Sequence, residues 1–158
     1  MSDLAREKCK RFDALKALRG TWEWHWQQVA DVMFPNHAPF DAMAYPGEKR
    51  MQNVFDATAI HSSELLAAGL HGMLTNPATV WFQPGIQGML APNKRVATWL
   101  DLVERGMYSE INHEQAGFST HIHEMYLEYI DFGTGVLYTG EPADLNGLLF
   151  SSVPLNEA

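Results

Sequence analysis

Apolar positions recur at helical spacing along most of the chain. Leu4, Phe12, Leu15 and Leu18 fall near one face of a first helix, with Ser2 placed to cap it. Gly20-Thr21 interrupts that pattern, and Thr21 is positioned to cap a second helix. There Trp22, Trp26, Val29 and Met33 lie at i, i+4, i+7 and i+11, an unbroken apolar stripe. Pro35 ends it, because proline disfavours helical geometry in the residue before it. Residues 1–35 therefore read as an N-terminal helical pair.

No period is sustained over residues 36–55. Pro39, Pro46 and Gly47 punctuate this loop, and Gly47-Glu48-Lys49-Arg50 forms its charged tip. A loop this long inside a compact domain points to a binding or interface role. Asp56 or Thr58 should cap the next helix, which runs to about Leu74. It holds Ala67, Ala68, Gly69 and Gly72, and interior glycine costs roughly 1 kcal/mol relative to alanine. A packing reason is expected, either within the chain or against a neighbouring subunit.

Thr75-Asn76-Pro77 makes a turn, residues 79–82 a short extended run, and Gln83 to Asn93 a loop. Asn93 can cap a long helix with a stripe of Val96, Leu100, Val103, Met107 and Ile111. After a break near Gln115-Ala116-Gly117, a further helix places Phe118, Ile122, Met125, Tyr126 and Tyr129 inward. Gly135 to Glu141 and Leu148 to Pro154 read as strands around Asp144-Leu145-Asn146-Gly147, whose Asn-Gly pair favours a tight hairpin. The fold class is α+β, mainly helical, with residues 56–158 a helical region ending in a β-hairpin. An isolated two-stranded ribbon is marginal in water. Because the chain stops soon after it, the whole is expected to form part of a larger subunit.

Composition narrows the function classes. The 158 residues, 17.8 kDa, are 46% hydrophobic and 19% charged, too apolar for a disordered chain. Lys+Arg total 11 against 19 Asp+Glu, a net charge of -8, which argues against a basic nucleic-acid clamp. Eight of the basic residues lie at or before Arg50, with seven acidic ones; three basic and twelve acidic residues follow. Cys9 is the only cysteine, which excludes an intrachain disulfide and a multi-cysteine zinc site. The charged opening MSDLAREKCKRFD has no apolar core of a secretory signal. The charge-free stretch from Leu65 to Asn93 is too broken by glycine and proline to span a bilayer. A soluble protein with no membrane partner is expected.

Candidate chemistry is sparse. His113, His121, His123 and Glu124 suggest a metal site, the basis of one alternative function, a small metal-dependent hydrolase. On a helix, however, His121 and His123 diverge, because ligands share a face at i, i+3 or i+4. His61 and His71 lie three turns apart and cannot share an ion. No G-x-S-x-G elbow or phosphate-binding P-loop is present, Ser62-Ser63 has no flanking elbow glycines, and Gly133-Thr134-Gly135 precedes a strand instead of following one. No catalytic, cofactor-binding or metal-binding residue is therefore assigned, and no cofactor is expected. Trp24 points away from the Trp22/Trp26 face and is a candidate partner contact, with Lys49 in the charged loop. These two support a second alternative, an acidic protein-binding adaptor.

Taken in order, the elements resemble the N-terminal part of the head-to-tail connector (portal) proteins of short-tailed bacteriophages. The resemblance runs from Trp22 and Trp26 to Pro35, through Gly47 and Arg50, to Val54-Phe55-Asp56-Ala57-Thr58. It continues through Leu66, Gly69, Gly72, Leu74 and Pro77 to Trp81-Phe82, then Phe132-Gly133-Thr134-Gly135 and Val153-Pro154-Leu155. It implies a non-enzymatic ring of identical subunits, a dodecamer when complete, at one capsid vertex of the virion. Implied partners are further copies of itself, the capsid protein, the packaging terminase and a tail adaptor. Double-stranded DNA passes through the ring without sequence-specific binding during packaging and ejection. Assembly is implied to take place in the host cytoplasm. The matched region corresponds to the outer, wing-like part of the subunit, with stem and clip later in the family's order. The chain is thus expected to be an N-terminal fragment, or a truncated or split form.

Overall fold

Three apolar positions per two turns and a first-turn aspartate favour helix from Asp3, and the chain stays helical to Met33 (α1). The computed structural model describes residues 3–35, 39–40, 54–86, 94–142 and 147–158. These fall into two compact units, Met1–Ser63 and Glu64–Ala158.

The expected helical pair is one continuous helix of 31 residues. Gly20 costs about 1 kcal/mol, which the neighbouring turns outweigh. Arg19 Nε and Glu23 Oε1 pair at 3.0 Å across the glycine. Thr21, expected as a cap, instead donates its hydroxyl back to the Leu18 carbonyl at 2.8 Å. Toward the end of α1, Trp26 stacks near Trp22 and tilts against Phe40, with centroids 6.5 and 5.7 Å apart. The Arg19 guanidinium sits 5.8 Å from the Trp26 ring. Gln27 Oε1 accepts the Phe40 backbone N–H at 2.8 Å, and Ala30 is buried. The other half of the helix differs among the described residues. Leu4, Phe12, Leu15 and Leu18, expected as an inward stripe, are all exposed.

Asp56 starts α2, Thr58–Leu74, by accepting the Thr58 backbone N–H at 2.6 Å. This helix begins in the first unit and runs on into the second. Of its small residues, Ala67 is fully buried. Gly69 and Gly72 face open space, so no described residue of this chain requires glycine there.

The core of the second unit gathers Ala67, Ala116, Phe118, Ile122, Tyr126 and Phe150. Helix α3, Lys94–Ile111, buries no residue completely. Val96, Leu100, Val103 and Ile111 are half-buried, while Met107, expected within the stripe, is exposed. A single 3-10 turn, Glu114–Ala116, leads to Gly117 at φ +67°, left-handed geometry that glycine adopts without strain. Helix α4, Phe118–Phe132, follows and ends at Gly133, whose N–H bonds the Tyr129 carbonyl at 2.9 Å.

Strands β1, Val136–Gly140, and β2, Leu149–Val153, pair antiparallel with Val136 opposite Val153 and Gly140 opposite Leu149. Helix α4 packs on both strands and supplies the cover that a bare ribbon needs. The entry to β1 comes so close that a Cβ on Gly135 would lie 2.5 Å from the Met125 carbonyl oxygen. Buried Glu128 accepts the Leu155 backbone N–H at 3.1 Å, fastening the segment after β2. Tyr129, expected inward, is exposed. The buried positions of α4 are Phe118, Ile122, Tyr126, Glu128 and Phe132.

The architecture is α+β and mainly helical, with the hairpin last. No helix among the described residues is long and apolar enough to cross a membrane. The loop tip Gly47, Lys49 and Arg50, the capping Asn93 and the turn residues 144–146 lie outside the described residues.

Candidate functional site

The segment after α2 carries Pro77, Trp81 and Phe82, three of the singled-out residues, on irregular backbone. It begins with a local turn: Asn76 Oδ1 accepts the Ala78 N–H at 2.8 Å, and the Asn76 carbonyl accepts that of Thr79 at 3.3 Å. Tyr108 of α3 then gathers its carbonyls. The phenol donates to Pro77 at 2.5 Å, with the Thr79 and Asn76 oxygens at 3.2 and 3.5 Å.

An aromatic chain holds the far end. Trp81 lies parallel to Phe118, 5.9 Å between centroids at 9°, and meets Phe82 edge-on at 5.0 Å. Phe82 tilts against Tyr108 at 6.2 Å, and Phe118 meets Phe150 edge-on at 4.9 Å. Loop, α3, α4 and β2 are thereby tied through five rings, each pair worth about 0.5–1.5 kcal/mol beyond its burial.

The near end is a polar knot. His71 Nδ1 lies 2.8 Å from Thr75 Oγ1 and Nε2 lies 3.1 Å from Ser119 Oγ, one nitrogen donating and the other accepting when the ring is neutral. Buried Thr75 also reaches Tyr126 Oη at 3.4 Å. The His123 ring stands 6.3 Å away, edge-on. Burial, and then the nearby His123, lowers the His71 pKa below its ordinary 6.5. Although His71 touches a serine, its second nitrogen meets a threonine hydroxyl and not an orienting carboxylate, so the contact reads as packing.

The histidines considered for a metal point in different directions. His121 Nδ1 pairs with Glu124 Oε2 at 2.9 Å, His113 Nδ1 accepts the Gln115 N–H at 3.3 Å, and His123 faces His71. Among the described residues no group of three or more His, Cys, Asp or Glu is placed to hold an ion.

The remaining singled-out residues are dispersed. Trp22 and Trp26 lie on one face of α1, Pro35 follows the helix, and Trp24 is exposed on another side. Asp56 and Thr58 form the α2 cap, where hydrogen bonds from the Thr58 side chain and backbone lower the Asp56 pKa. Leu66, Gly69, Gly72 and Leu74 line exposed parts of α2. Sequence reasoning missed Tyr108 and Ser119, and considered His71 only as a metal ligand and Thr75 only as a turn residue. Tyr108 carried a usable signal, an aromatic ring one residue off the α3 stripe.

A family model described as bacteriophage head to tail connecting protein matches residues 5–158. The chain is 32% identical over 129 residues to the "Probable portal protein" of Bordetella phage BPP-1, covering 78% of this chain and 22% of that protein. It is 26% identical over 140 residues to the "Portal protein" of Salmonella phage epsilon15, covering 87% and 25% respectively. The chain therefore spans about a quarter of the length of the curated relatives it matches.

Proposed function

Because the chain belongs to the bacteriophage head to tail connecting protein family, we propose that it serves as part of a portal subunit. Its role is structural and non-enzymatic: copies assemble into a ring at one capsid vertex through which double-stranded DNA is packaged and ejected. The carrying observation is the family match over residues 5–158, supported by two relatives named as portal proteins. Those relatives extend well beyond the matched region, which supports reading the chain as the N-terminal, wing-like share of a larger subunit, whether fragment, truncation or split product.

The physical chemistry agrees. A net charge of -8 disfavours phosphate binding, as suits an outer part of the subunit that does not grip DNA. The loop clamped by Tyr108 and Phe118 uses its aromatic residues to brace elements against each other, a scaffolding role. Capsid protein, terminase and a tail adaptor are the proposed partners, with Trp24 and Lys49 as contact residues. The virion vertex is the proposed location and the host cytoplasm the place of assembly.

Affinity-gold labelling of virions with antibody to this chain tests the reading. Label confined to a single vertex, on ring-shaped particles once released, is the expected outcome. Label spread over the shell or absent from virions overturns it.

A further inference from the structure

We draw no further inference here: the strongest candidate, the exposed apolar face of Leu4, Phe12, Leu15 and Leu18 along the first half of α1, carries no proposal because nothing in the structure shows what covers it.

Discussion

Removing the Phe118 ring should unfasten the clamp. Phe118 is buried, stacks on Trp81 and meets Phe150 edge-on. Truncation of a buried phenylalanine costs about 3–5 kcal/mol, a large part of the roughly 5–15 kcal/mol that holds a domain together. For a unit the size of Glu64–Ala158, about 3 kcal/mol lowers Tm by roughly 12–24 °C. Phe118→Leu keeps most of the apolar volume but loses both ring pairs, so it should cost about 1–3 kcal/mol. Trp81→Ala should cost less than Phe118→Ala, because Trp81 is 38% exposed. The double variant isolates the stack, with a coupling of about 0.5–1.5 kcal/mol. Urea unfolding followed by far-UV circular dichroism reads all four proteins. A Phe118→Ala loss below about 1 kcal/mol at unchanged denaturant slope, or zero coupling with Trp81, would refute the idea that these rings brace the loop.

Three further outcomes follow from the same geometry. Tyr108→Phe keeps the ring against Phe82 but frees the Pro77 carbonyl, and should cost about 0.5–1.5 kcal/mol by the same urea assay. Since burial and His123 lower the His71 pKa, the unfolded chain takes up that proton first; stability is full above about 6.5 and falls as pH drops from there toward the folded value. Urea midpoints measured on both sides of that value should show the fall, and His71→Gln should flatten it. Gly135→Ala drives a Cβ into the Met125 carbonyl and should cost about 1–3 kcal/mol, whereas Gly69→Ala, in open space on a helix, should be stabilising by up to about 1 kcal/mol, both read as shifts in Tm.

Much of the fold was legible in the sequence because helices and hairpins announce themselves locally. The 3.6-residue period located α2, α3 and α4, and the break expected at Gly117 stands directly before α4. The misreading at Gly20-Thr21 has a local cause as well. A glycine followed by threonine signals a cap, but the Arg19–Glu23 pair and the Thr21 back-bond favour continuing the helix. Periodicity names an apolar face without saying what covers it, so Leu15, Leu18, Met107 and Tyr129 were expected inward and are exposed. Trp81 and Phe82 were singled out, yet their partners Phe118 and Tyr108 lie tens of residues away. No spacing rule connects them.

That separation also sets a timetable. Ala67 and Phe150 share one cluster although they stand 83 positions apart in the chain. At a synthesis rate of roughly 5–20 residues per second, the second half of this contact emerges roughly 4–17 s after the first. Ala67 lacks this partner throughout that interval, and the Phe118 ring, made 51 residues after Ala67, lacks it for the remaining 32. β2 is thus the last part of this cluster to be made, and the cluster is complete only once it has left the ribosome.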